Sequence, residues 1–162
     1  MSHREGKPPP PPDHAHPFEV VSGLYISGHP DSAHDFIRGG IHAVVDLEGD
    51  IDSAIGEEAS QGGSTLYVYW PIEDGPMPDA TTVRSIARFV CALLDEEKKV
   101  LVHCRSGHNR SGMICARALI EKGKHPEDAI RTVREGRGDG HALENERFVD
   151  WLMGEVPSSR TE

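Results

Sequence analysis

A chain of 162 residues with 36% apolar residues and a formal charge of −10 has room for one compact domain with a real core, and this charge argues against general nucleic-acid binding. It has no run of about twenty apolar residues, which excludes a membrane-spanning helix. The N-terminus lacks the apolar centre of a secretory signal, so the expected location is the cytoplasm.

The chain opens on MSHREGKPPPPPDHAH, where the unbroken Pro8–Pro12 run removes donors and locks φ. Residues 1–16 therefore read as a disordered tail with a short polyproline II piece. A spacer is its plainer role, a ligand for a partner's groove the second. His14 and His16 alternate like metal ligands, but nothing nearby completes a site. No metal and no cofactor are assigned. A catalytic domain is expected over 17–156, as a monomer, followed by a flexible tail at 157–162.

Phe18–Val21, a Ser22-Gly23 turn and Leu24–Ile26 predict a hairpin. Residues 32–38 suggest a short helix closed by Gly39-Gly40, and Ile41–Leu47 is a buried strand by length and β-branching. Glu48–Ser64 is acidic and rich in Gly and Ser, hence a loop; Leu66–Trp70 alternates and stops at Pro71. Asp79 stands as the N-cap of a helix whose Val83, Ile86, Ala87, Val90, Leu93 and Leu94 recur at helical spacing. Val100–Val102 is a short strand that runs into His103-Cys104. A helix follows from about Arg110 to Gly123, and a second opens on Pro126 with Glu127 and Asp128 at its positive end and stops at Gly136. A last helix covers roughly 143–154. Early strands and late helices predict an α/β domain with a single central, mostly parallel sheet flanked by helices.

The chemistry concentrates in Val100-Leu-Val-His-Cys-Arg-Ser-Gly-His-Asn-Arg-Ser-Gly112. A buried strand ends at His103, the chain turns through Gly107, and a helix starts at Arg110. Successive N–H groups in such a turn form an anion-binding nest at a helix N-terminus. Arg105, Ser106, Gly107, His108, Asn109 and Arg110 are the expected phosphate-binding residues, and the Arg110 guanidinium adds a fork matched to phosphate oxygens. Cys104, at the mouth of this positive field, is favoured as thiolate over thiol. Ser111 is placed to donate to the sulfur, and His103 to organise the loop through a hydrogen bond rather than act as a base. The three cysteines, Cys91, Cys104 and Cys115, form no closely spaced pair, which fits a reducing compartment. Cys91 and Cys115 fall on predicted helices beside apolar neighbours and read as core.

His103-Cys104-RSGHN-Arg110-Ser111 resembles the His-Cys-x5-Arg-Ser/Thr signature of the protein tyrosine phosphatase superfamily, and residues 18–153 resemble its small dual-specificity members, with a prokaryotic flavour. The resemblance implies a phosphocysteine intermediate and an upstream aspartate as general acid. Of Glu73, Asp74 and Asp79, Asp74 matches the family's Pro-Ile-x-Asp-Gly pattern. It also implies a phosphoprotein or phosphopeptide substrate, with phosphotyrosine favoured and phosphoserine and phosphothreonine accepted by a shallow pocket.

Three rivals stay open. A rhodanese-type sulfurtransferase also uses a cysteine loop but typically lacks an Arg–Ser/Thr pair at this spacing. A phosphate-binding module without catalysis usually loses the cysteine, the arginine or the acid. The same chemistry on RNA 5′-triphosphate is suggested by resemblance at Asn109-Arg110, while phosphoinositide enzymes tend to carry lysines that this loop lacks.

Overall fold

The computed structural model of the protein describes residues 16–30, 39–48 and 65–157. The tail at residues 1–15, the helix expected at 32–38, most of the acidic loop and residues 158–162 lie outside the described residues. Strands β1 (Phe18–Val21), β2 (Leu24–Ser27), β3 (Ile41–Asp46), β4 (Leu66–Tyr69) and β5 (Lys99–His103) form one sheet in the order β1-β2-β5-β3-β4. Only the β1–β2 hairpin is antiparallel; β2, β5, β3 and β4 run parallel. The expected mostly parallel sheet is what forms.

Register decides where the chemistry can sit. Ser27 pairs with His103 across β2 and β5, and Asp46 pairs with His103 across β5 and β3. Three parallel strands thus end level with one another. The loop after β5 leaves the sheet at the carboxyl end of its middle strand, the usual place for ligands in open α/β sheets.

Helices α1 (Ala80–Asp95), α2 (Arg110–Glu121), α3 (Pro126–Arg137) and α4 (Glu146–Met153) complete the described elements. Leu24, Ile26, Ala43, Val45, Val100 and Val102 belong to the main core with the apolar residues of these helices. Ile41, Val44 and Leu101 form a smaller cluster with Tyr25 and Tyr67. This division follows strand alternation, which sends successive side chains to opposite faces, except at Ile41, where a register shift between Ile41 and Ala43 interrupts the alternation. Helix α2 is buried from Ser111 to Ile120, so it is the central helix, and even Arg117 is only 5% exposed. That charge is matched: Arg117 Nε meets Glu155 at 3.0 Å and Nη1 meets Glu121 at 3.1 Å.

Two helix boundaries differ from expectation. Gly136 does not end α3, because the helix reaches Arg137 and closes on Gly138 with φ +81, the left-handed cap that glycine adopts without a Cβ penalty. Gly136 serves close packing instead; a Cβ there would lie 2.8 Å from the Val20 Cα in β1. The last helix starts at Glu146 rather than near Leu143, which has φ +57, and Asn145 is its N-cap. The β4 strand also lacks a clean alternation of burial: Leu66 and Tyr69 are exposed and the two residues between are half-buried. Among the described strands it stands at the sheet edge, with β3 as its one neighbour.

Candidate active site

Cys104 follows β5 directly and is 1% exposed, with its Sγ 3.1 Å from the Ser111 Oγ on the first turn of α2. The loop between them is shaped by what its carbonyl groups bind. The Arg105 carbonyl accepts from His29 N at 3.0 Å, and the His108 carbonyl from Leu143 N at 3.1 Å. The Arg137 guanidinium donates to the Gly107 carbonyl at 3.1 Å and to the Ser106 carbonyl at 3.4 Å. Four successive carbonyls are therefore held outward by the rest of the domain. In a planar trans peptide the following N–H points the opposite way. The N–H groups of Ser106, Gly107, His108 and Asn109 are thereby turned to the inner side of the loop, where an anion can take them.

Gly107 makes the turn possible. Its φ is +72, and a Cβ would meet the Ser27 carbonyl carbon at 2.5 Å and Gly28 N at 2.6 Å. Neither contact can be relieved by a rotamer change, because both atoms are backbone. Gly107→Ala is expected to destabilise the protein by roughly 2–5 kcal/mol, from overpacking and a left-handed backbone together. Chemical denaturation midpoints check this; a variant as stable as the parent would contradict the contact.

Beneath the loop lies a buried polar group. His103 is 1% exposed, and neither ring nitrogen has a hydrogen-bond partner among the described residues. Asp46 Oδ1 approaches His103 Nε2 only to 3.7 Å, beyond hydrogen-bond range. Asp46 is committed elsewhere, accepting from Glu48 N at 2.8 Å and from the Tyr67 hydroxyl. Burial pushes the His103 imidazole below its ordinary pKa and so favours the neutral ring, against the opposing pull of Asp46. Cys115 is fully buried, and burial raises its thiol far above the ordinary range, which suits a core residue.

The segment after β4 brings a carboxylate to the loop. Asp74 Oδ2 accepts from Asn109 Nδ2 at 2.9 Å, and Asp74 Oδ1 accepts from Asn145 Nδ2 at 2.9 Å. Arg110 Nη1 donates to the Ile72 carbonyl at 3.0 Å, tying the same segment to the start of α2. Arg110 keeps further guanidinium N–H donors for a phosphate. Asp79 instead caps α1, its carboxylate accepting from Thr82 N at 3.2 Å and from Thr82 Oγ1 at 2.6 Å. The Thr82 hydroxyl holds that carboxyl below the usual range.

A family model described as "Tc-R-P: Polymorphic toxin system, DSP-PTPase phosphatase" matches residues 28–124. The chain belongs to this phosphatase family. The "Beta-lactamase hydrolase-like protein" of Xylella fastidiosa is 29% identical over 142 residues, covering 83% of this chain and 31% of that protein. The human "RNA/RNP complex-1-interacting phosphatase" is 34% identical over 82 residues, covering 48% of this chain and 24% of that protein. The chain thus spans a third or less of the length of these relatives. Human DUSP28 shares the fold, with a TM-score of 0.70 at 19% identity over 90% of this chain and 92% of that one.

Within this DSP-PTPase phosphatase, several residues singled out in the sequence bond to one another. Cys104 meets Ser111, Asn109 meets Asp74, and Arg110 meets the carbonyl of Ile72 on the Asp74 segment, while Arg105 is exposed and His108 bonds Asp139 at 2.6 Å. Sequence reasoning missed Arg137, which is 3% exposed and also lies over the Phe18 ring at 4.4 Å. It missed Asn145, Asp46 and the Tyr67 hydroxyl as well. An arginine ending a helix and an asparagine before one carry no local sign of a distant partner. Asn145 did have a signal as a helix cap, since it precedes Glu146 and the apolar pair Phe148 and Leu152.

Proposed function

We propose that the protein hydrolyses phosphomonoesters on proteins, phosphotyrosine first and phosphoserine or phosphothreonine more slowly, through a phosphocysteine intermediate. The Cys104 thiolate attacks phosphorus and forms the S–P bond. The P–O bond to the leaving group breaks, and its electron pair stays on the leaving oxygen, which takes a proton from Asp74. Arg110 and the inward N–H groups of residues 106–109 hold the equatorial phosphoryl oxygens as charge redistributes. In the second step water attacks phosphorus, Asp74 takes its proton, and the sulfur departs with the Ser111 hydroxyl donating to it. No step calls for a metal.

This reading is carried by the loop around Cys104, four of whose carbonyls are tied outward while Ser111 Oγ lies 3.1 Å from the sulfur. Such a cradle suits a tetrahedral dianion next to a nucleophile. A sulfurtransferase has no use for the carboxylate that Asn109 and Asn145 hold over the loop. Among the described residues no helix is long and apolar enough to cross a membrane. A cytoplasmic, monomeric enzyme fits the three cysteine thiols.

A second reading keeps the chemistry and changes the substrate to RNA 5′-triphosphate. It is favoured by Asn109-Arg110 and by the likeness to the human phosphatase whose name cites an RNA/RNP complex. The charge of −10 opposes long RNA as a partner. Parallel assays of phosphotyrosyl and phosphoseryl peptides, inositol phosphates and a 5′-triphosphorylated oligonucleotide decide between them. The highest kcat/KM is expected on phosphotyrosyl peptides; a clear preference for the oligonucleotide would establish the second reading.

A further inference from the structure

Asn145 has every polar atom of its side chain and its backbone N–H engaged. Its Oδ1 accepts from Arg147 N at 3.1 Å and Phe148 N at 3.4 Å, the N-cap arrangement of α4. Because that oxygen must face two backbone donors, the amide orientation is determined, and Nδ2 must face the other way. There it donates to Asp74 Oδ1 at 2.9 Å and to the Gly75 carbonyl at 3.1 Å. Its backbone N–H donates to Asn109 Oδ1 at 3.0 Å. That bond in turn orients the Asn109 amide, so that Asn109 Nδ2 reaches Asp74 Oδ2 at 2.9 Å.

We infer that Asn145 is a positioning residue for the proton-transfer step, forming with Asn109 a two-amide clamp that sets the Asp74 carboxyl plane over the phosphate loop. The inference rests on Asp74 being the proton donor. The reason for a clamp lies in the exposure of Asp74, which sits on a short segment between β4 and α1 without secondary structure of its own. A side chain there has free χ rotation unless something holds it. One amide would leave the carboxyl free to swing about a single hydrogen bond; two, on different oxygens, fix both its position and its plane. Asn109 belongs to the phosphate loop and Asn145 to α4, so the clamp references the donor to the phosphate and to the rigid core at once. The bond to the Gly75 carbonyl holds the backbone just beyond the donor in the same grip.

The step in which this alignment and the leaving group both count is the first. As the Cys104 sulfur bonds phosphorus and the P–O bond breaks, the leaving oxygen receives the electron pair and the Asp74 proton. A misplaced donor slows that transfer without weakening phosphate binding. It matters most for leaving groups that cannot depart as anions.

The test uses variants that keep the helix cap. Asn145→Ser retains a capping oxygen but is too short to reach Asp74, and serine caps about as well as asparagine. Asn145→Asp retains size and cap but loses both amide donors. Each is assayed on phenyl phosphate, which releases a poor leaving group, and on 2,4-dinitrophenyl phosphate, which releases a good one. On phenyl phosphate kcat/KM, which reports only the steps up to departure of the phenol, is expected to fall by roughly 10- to 100-fold, the order expected for a misaligned reacting group. On the dinitrophenyl ester kcat/KM should stay near that of the parent. In an Asp74→Asn background the Asn145 substitutions should add no further loss on phenyl phosphate, since both act on one group.

Equal losses on both esters would reduce Asn145 to a structural cap and overturn the inference. So would full additivity with Asp74→Asn, or parent-like kinetics in both Asn145 variants. The underlying assignment fails separately, when Asp74→Asn alone shows no dependence on the leaving group. If Asn145→Ser does not fold, Asn145→Asp carries the test.

Discussion

Cys104→Ser is expected to abolish hydrolysis of an aryl phosphate, by roughly 10⁴-fold or more, the order of loss when a catalytic nucleophile is removed. The substitution is nearly isosteric at a position that is 1% exposed, so the loop around it should persist. A hydroxyl ionises far less readily than a thiol, and an un-ionised oxygen cannot attack a phosphate dianion at a useful rate. The cradle does not depend on the sulfur: its carbonyls are held by His29, Arg137 and Leu143, none of which touches Cys104 through those bonds. Inorganic phosphate should therefore bind the variant with an affinity of the same order as the parent. The parent should retain activity in EDTA and lose it in vanadate. Initial rates and phosphate titration calorimetry measure both halves of this result. Substantial turnover by the serine variant would remove Cys104 from the mechanism.

The second large effect concerns the proton donor. Asp74→Asn should lower kcat by roughly 10²–10⁴ on a phenolic phosphate, the usual contribution of a positioned general acid. Asparagine preserves the size of the side chain but has no proton to transfer. The loss in kcat/KM should shrink as the leaving group improves, because a stable anion departs without a proton. Asp79→Asn supplies the control. Its carboxylate caps α1 through Thr82, so that variant should keep its kinetics and melt slightly lower. Steady-state kinetics across a series of substituted phenyl phosphates separate the two residues. If Asp79→Asn reproduced the kinetic defect while Asp74→Asn did not, the acid would have to be reassigned.

What could be read along the chain was whatever is governed by neighbours in sequence. The β1–β2 hairpin follows from two short apolar runs about Ser22-Gly23, and the α1 cap from Asp79 three residues before Thr82. The phosphate loop follows from a buried strand, a glycine that must turn and a helix start, all within residues 99–112. Boundaries failed where two local signals competed. Gly136 looked like a helix stop, and only the approach of β1 shows that it serves packing, leaving Gly138 to close α3. The approach of Asp46 to within 3.7 Å of His103 came only from the pairing of β3 with β5, which has no local sign.

By itself the sequence determined the setting of the proposed nucleophile, because Cys104, Gly107, Arg110 and Ser111 lie on one turn whose geometry is local. Tertiary structure alone decided what holds that turn and its carboxylate in place. Arg137 reaches the loop from the end of α3, Asn145 reaches Asp74 from the cap of α4, and Asp46 and Tyr67 meet only because β3 and β4 pair in parallel. A hydrogen bond between residues far apart in the chain leaves no periodicity in the sequence. Its partners become neighbours only after sheet order and helix packing have brought their backbones together.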